Sequence, residues 1–287
     1  MLQGTIKRTL LCCLLGTSLG AQAKIDEIHF LIPGGAGGGW DNTARGTGEA
    51  LTKSGLITTA SYQNISAGGG AKAIAHLIET SAQSDKTLMV NSTPIIVKSL
   101  SKELPQSFRD LTPVAAIIAD YQALAVPLDS PYQSWPQLLA AYQENPAKVK
   151  IAGGSAMAAV LAGETQVLST GFGEAMEAVK SGQMRILGMT APARMPDASE
   201  VPTFSEQGNP TVFANWRGYF ASPAVSADKS AEFAALLKQM YDKPEWETVR
   251  ARNNWTNLYQ AGPEFTAFLI QQEQQIGGLM RELGFIK

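Results

Sequence analysis

The chain has 287 residues, 45% hydrophobic and 17% charged, with 23 basic against 25 acidic side chains and two cysteines. An acidic balance without a Lys/Arg cluster argues against nucleic acid or an anionic membrane surface as partner, and any anionic ligand must then be held by local dipoles and hydrogen bonds. Both cysteines, Cys12 and Cys13, lie near the start, so the rest offers neither a disulfide framework nor a thiolate nucleophile.

Residues 1–23 read as a signal peptide. Lys7 and Arg8 precede the apolar run Leu10 to Leu19, and Ala21-Gln22-Ala23 has the A-x-A form of a cleavage site, so the mature chain is expected to begin at Lys24. Leu11 is not the small residue expected before a lipidated cysteine. Removing Lys7 and Arg8 leaves 21 basic against 25 acidic residues, a formal charge of −4. No later stretch approaches the ~20 apolar residues of a membrane span, so no direct membrane insertion is expected. The remaining length suits two domains of ~100 to 200 residues each.

The mature sequence opens on Ile28-His29-Phe30-Leu31-Ile32-Pro33, after which five of six residues are glycine, followed by Trp40-Asp41-Asn42. That reads as strand, tight loop and helix start. Glycines let a ligand approach the backbone, and first-turn N–H groups carry partial positive charge, so the loop suits an anion. A flexible loop with Asp41 as N-cap is the alternative. Gly-Lys-Ser/Thr and the third glycine of G-x-G-x-x-G are both absent, which disfavours ATP or NAD, and no cofactor is expected. The pattern repeats: a strand over 57–63 enters Asn64 to Gly70 before a helix with Ala71, Ile74, Leu77 and Ile78 on one stripe, and Thr87 to Asn91 enters Ser92-Thr93-Pro94. Such units indicate a parallel sheet with its ligand edge at the strand carboxyl ends.

Leu111 to Ala119 and Gln122 to Val126 are two further apolar runs, separated by Asp120-Tyr121. The crossing to a second domain is placed near Val126. There a helix from Ser134 to Asn145, a strand over 148–152 into Gly153-Gly154-Ser155, a strand over 166–170 into Gly171-Phe172-Gly173-Glu174 with its helix, and a strand over 184–189 are expected. Phe213 to Pro223 returns to the first domain, and three helices, 227–241, 244–252 and 263–283, close the chain. The domain division is therefore 24–126 with 217–287 as lobe 1, and 127–216 as lobe 2.

Catalytic or metal chemistry finds little support. His29 and His76 are the two histidines, one in a strand and one beside a helical stripe, and no H-x-x-x-H exists. Gly153-Gly154-Ser155-Ala156-Met157 lacks the second glycine of a nucleophile elbow, and Ser155 has no nameable histidine partner. The glycine and hydroxyl loops instead offer main-chain N–H groups, and the candidate ligand residues are Gly37, Gly38, Gly39, Trp40, Asp41, Ser66, Gly68, Gly69, Asn91, Ser92, Ser155 and Thr170. Trp40 is expected beside the ligand as an apolar wall with one N–H to donate, burial between helix and sheet being the alternative.

In combination, the signal peptide, Pro33 to Asp41, Asn64 to Gly70, Gly153-Gly154-Ser155, Ala178 to Thr190 and Trp216 to Ala221 resemble the periplasmic receptors of tripartite tricarboxylate transporters (TctC/Bug type). The resemblance implies a two-lobed, type II periplasmic-binding-protein-like α/β fold with mixed sheets flanked by helices. It implies a monomeric, non-enzymatic receptor for a di- or tricarboxylate such as citrate, and large and small membrane partner subunits driven by an ion gradient. It also implies a ligand carboxylate gripped by backbone N–H groups and waters at Gly37, Gly38, Gly39 and Asp41, with Ser155 opposite. Family members usually carry a helix, a strand and another glycine-rich loop where this chain passes directly from Ser155-Ala156 into Met157, so the second lobe is shortened. Other readings are a non-transport paralogue that docks a sensor or another envelope protein, and an α/β enzyme on a small anion.

Overall fold

The computed structural model of the chain describes residues 25–153 and 157–287, so the segment read as a signal peptide and Ser155 lie outside the described residues. Strand β1 (Glu27–Ile32), helix α1 (Gly39–Lys53), β2 (Thr59–Asn64), α2 (Ala71–Glu79), β3 (Thr87–Ser92) and α3 (Pro94–Leu100) are the three expected strand–loop–helix units. β1 pairs in parallel with β2 on one side and β3 on the other. All six residues of β3 are buried, as a strand covered on both faces requires. Pro94 opens α3, where its missing N–H leaves no helical bond unmade.

The long strand β4 (Thr112–Pro127) joins the two lobes. Asp120-Tyr121 was expected to separate two runs; the backbone instead continues straight through them. Residues 112–121 pair antiparallel with β8 (Ala214–Ala221), and residues 115–119 also pair with β9 (Thr256–Ala261). From Gln122 onward β4 pairs with β6 (Val167–Gly171) and β7 (Met184–Met189). Partner exchange thus occurs at Tyr121–Gln122, ahead of the Val126 boundary read from the sequence. β9 is an addition to the three closing helices expected there; it is a partly exposed strand whose weak alternation hides it in sequence.

Around this shared strand the second lobe adds α4 (Trp135–Glu144), β5 (Ile151–Gly153), α5 (Met157–Leu161) and α6 (Phe172–Lys180). β5 pairs in parallel with β6, and five-residue α5 is the one helix described between them. Leu168, Phe172 and Met176 fill one side of the lobe's sheet, and Val126, Leu138 and Val167 the other. The chain then returns through β8 to α7 (Ala227–Tyr241), α8 (Pro244–Arg252) and α9 (Pro263–Glu282). Phe265 and Leu269 of α9 pack with Trp216 and Phe220 on one face of the lobe 1 sheet, while Phe233, Leu237 and Trp246 join Phe30 and Leu51 on the other. No helix among the described residues is long and apolar enough to cross a membrane.

Helix α1, which carries the first loop, is tied to α8 by Glu49. Its carboxylate accepts from Arg252 at 2.9 Å and from Lys53 at 2.8 Å. Those two partners, Arg252 foremost, pull its pKa from 4.5 to about 2. A carboxyl depressed in the folded state contributes stability above its unfolded pKa, and that contribution is lost as pH falls through the folded value. Thermal unfolding of the parent and Glu49→Gln is expected to show the parent more stable at pH 6, with the difference shrinking below pH about 4.5 and gone near pH about 2. A gap that persists unchanged at pH 2 would show that the clamp does not act through the charge of Glu49.

Candidate functional site

The first loop is built around Asp41, though not in the role expected of it. Gly38, with φ −78° and ψ 170°, is the N-cap of α1, and Asp41 sits one turn in, buried. Its Oδ2 accepts from the Gly37 N–H at 2.9 Å, Arg45 Nε donates to both oxygens at 2.9 and 3.0 Å, and Asn64 Nδ2 donates to Oδ1 at 3.0 Å. Asn64 also reaches the Gly34 carbonyl at 2.9 Å. Burial by itself would raise the Asp41 pKa, but the hydrogen bonds from Arg45, Gly37 and Asn64 outweigh it and hold the carboxyl below its ordinary value. Asp41 is therefore a clip that shapes the loop, its two carboxylate oxygens taken up by Gly37, Arg45 and Asn64. The left-handed φ of +79° at Gly37 is the conformation that the clip imposes on the turn.

This clip decides which N–H groups remain. That of Gly37 is spent on Asp41, and that of Gly38 makes a long 3.4 Å bond to the Gly35 carbonyl. Gly39 and Trp40, the first two residues of α1, have N–H groups with no intrahelical acceptor, at the positive end of the helix dipole.

Both residues line a cavity of about 990 Å³ walled by both lobes. Lobe 1 contributes residues 34–40, Asn42, Ser92 and Pro94; the shared strands contribute Asp120, Gln122, Asn215 and Arg217; lobe 2 contributes Thr170, Glu174 and Glu177 among others. Of the expected ligand residues, Gly37, Gly38, Gly39, Trp40, Ser92 and Thr170 are thus brought together. Asp41, Ser66, Gly68, Gly69 and Asn91 are not in the cavity wall. Gly69 packs instead against the Lys98 side chain, and the Asn91 side chain accepts from the Ser92 N–H at 2.8 Å. Trp40 is a wall residue as expected, but its indole N–H donates to Ser92 Oγ at 3.0 Å and so is already used.

The charged part of the wall was not read from the sequence. Arg217 on β8 and Asp120 on β4 are both buried, with Nη2 and Oδ2 2.8 Å apart. Arg217 Nη1 also donates to Thr43 Oγ1 at 3.2 Å, and Trp255 lies beneath the guanidinium with its ring centroid at 5.8 Å. A Cβ on Gly39 would stand 2.6 Å from Arg217 Nη2, so the start of α1 rests directly on the guanidinium and only glycine permits that approach. Burial raises the Asp120 pKa; Arg217 opposes this and Glu174 adds to it, with a net upward shift. Oδ1 of Asp120 has no partner at hydrogen-bond geometry. Two opposite charges inside otherwise apolar strands, in Ala119-Asp120 and Trp216-Arg217, were the available sequence signal, because such residues are buried only when paired.

No protein-family profile matches the chain. A UPF0065 protein of Pseudomonas sp. (strain P51) is 25% identical over 228 residues, covering 68% of this chain and 67% of that protein. A TctC solute-binding protein from Polaromonas is similar in structure with a TM-score of 0.68 at 18% identity, covering 90% of this chain and 98% of the other. The periplasmic binding protein BugD gives a TM-score of 0.80 at 15% identity, covering 91% and 99%. MatC from Rhodopseudomonas palustris, solved with bound malate, gives 0.75 at 19% identity, covering 88% and 97%. The chain shares the two-lobed α/β fold of the TctC- and Bug-type periplasmic binding proteins, and its sequence is similar to that of the UPF0065 protein.

Proposed function

We propose that this chain is a periplasmic receptor that captures a small carboxylate between its lobes and hands it to the large and small membrane subunits of an ion-gradient-driven transporter. One observation carries the reading: Gly39 and Trp40, whose N–H groups at a helix N-terminus have no acceptor among the described residues, line a cavity walled by both lobes. At about 990 Å³ the cavity is of the size that encloses small ligands. Malate in one structural relative and adipate in another support a carboxylate as the ligand class. Within that class citrate is disfavoured, since the wall carries Asp120, Glu174 and Glu177 against the single cation Arg217 among its described residues. A third ligand carboxylate would have to face one of them. Binding is the activity proposed, without catalysis.

A second reading keeps the same cleft and changes its output: a shortened paralogue that docks another envelope protein. The exposure of Ile151 on β5 and Leu161 on α5, two apolar side chains of lobe 2, favours it. A thermal-shift screen over mono-, di- and tricarboxylates tests the receptor reading, because a ligand that binds only the folded state raises the melting temperature.

Ligand addition is expected to change tryptophan fluorescence, and Trp40→Phe to remove most of that change. A signal that survives the substitution would place the responsive indole elsewhere among the five tryptophans. In calorimetry, Gly39→Ala is expected to weaken binding by at least about tenfold, or ~1.4 kcal/mol, because its Cβ displaces Arg217 and shifts the start of α1. Ser92→Ala, which removes one hydroxyl from the wall, is expected to cost less than about 1.5 kcal/mol. Equal affinities for the parent and Gly39→Ala would separate the start of α1 from the ligand.

A further inference from the structure

A second cavity, of about 550 Å³, lies in lobe 2 and shares no residue with the cleft wall. Met184, Arg185, Ile186 and Leu187, four consecutive residues of β7, all line it. Successive side chains of a strand point to opposite faces, and here Met184 and Ile186 pack on one side of the lobe's sheet and Leu187 on the other. A cavity that touches four such residues in a row runs along the strand's edge.

That edge is open. β7 pairs with β4 on one side. On the other, the described chain supplies a single bridge, Met189 with Thr203, and the side chain of Gln207, whose amide donates to the Leu187 carbonyl at 3.0 Å. Residues 184–187 have no neighbouring strand there among the described residues, which leaves about 13 Å of edge at ~3.3 Å per residue. Proteins usually guard such an edge with a charged side chain held in water. Arg185 is partly buried instead: its Nη2 makes a long 3.4 Å bond to the Leu128 carbonyl, and its Nη1 is buried without an acceptor. Glu200, the other charged residue of the wall, is exposed, and water and salt screen it. The positive charge is the one left to be matched.

We propose that the open edge of β7 is a docking groove for an extended segment of a partner protein, which adds to the sheet as a short strand and sets an acidic side chain against Arg185. Main-chain hydrogen bonds supply affinity in such a mode, and the walls choose the sequence. Alternate residues of the segment meet different walls: Val179, Met184 and Ile186 make one of them apolar, and Arg185 and Ser134 make the other polar. The segment that fits therefore alternates apolar residues with polar or acidic ones.

Fluorescence anisotropy on the purified protein tests this with a labelled, end-capped peptide, Thr-Val-Asp-Val-Thr-Val, beside versions carrying Asn or Lys in place of Asp. The Asp peptide is expected to bind about tenfold or more tighter than the Lys peptide, with the Asn peptide between them. N-methylation of one alternate set of peptide residues is expected to abolish binding, and of the other set to change it less than about threefold, because every second N–H of an added strand faces the sheet. Arg185→Glu is expected to reverse the charge preference, the Lys peptide then binding about tenfold tighter than the Asp peptide. If that variant melts early, Arg185→Gln is expected to erase the preference without reversing it, and the N-methylation pattern of the parent needs no variant at all. No binding of any peptide up to about 1 mM, equal losses from the two methylated sets, or a charge preference that survives Arg185→Glu would overturn the inference. Because groove and cleft share no residue, each of those outcomes leaves the receptor reading standing.

Discussion

The ion pair between Arg217 and Asp120 is the interaction on which the cleft depends. A buried guanidinium is tolerated only with a partner, and breaking such a pair by removing one member typically costs about 3 to 5 kcal/mol. Here the pair bridges β8 and β4 where they run side by side, next to the point at which β4 changes partners. It supports Gly39 from below and Thr43 from the side, so the start of α1 is placed by it. Gly171 abuts Asp120 as well, its own Cβ position lying 2.6 Å from Oδ2, which brings the start of α6 to the same point. Loops from both lobes are thereby referenced to one pair of charges. A buried ion pair is weak evidence for stability and is better understood here as fixing an arrangement.

Asp41 acts on the other side of the loop. It takes the N–H that would otherwise compete for ligand, fixes Gly37 in its left-handed turn and, through Arg45 and Asn64, ties the loop to the end of β2. Together the two aspartates explain how a glycine-rich segment, intrinsically costly to order, holds the first-turn N–H groups of α1 in a defined place. The same economy sets the ligand chemistry: lobe 1 offers dipoles rather than basic side chains, and the net charge of the wall is acidic.

Local signals made the architecture legible. The recurrence of apolar run, glycine or hydroxyl loop and helical stripe announced β1 to α3, and Met184 to Met189 was read with the bounds it has in the structure. What failed was whatever depended on pairing at long range. Asp120-Tyr121 looked like a break because a charge in a strand has no local justification; its justification is Arg217, 97 residues away. Asp41 looked like a cap and a ligand because both roles suit an acid after glycines, and only the fold brings Asn64 to it. The second glycine loop resembles the first in composition, yet it packs on Lys98 and stays out of the cavity. Glycine content announces backbone freedom and close approach, without stating what approaches.

In the proposed receptor, the first two N–H groups of α1 receive the ligand's carboxylate. Amide proton and nitrogen shifts of Gly39 and Trp40, followed by NMR as a carboxylate that raises the melting temperature is added, test it most directly. Both amides are expected to move downfield with the same saturation curve, as N–H groups do on gaining a charged acceptor. Saturation accompanied by shifts elsewhere, with Gly39 and Trp40 unmoved, would place the carboxylate away from the start of α1.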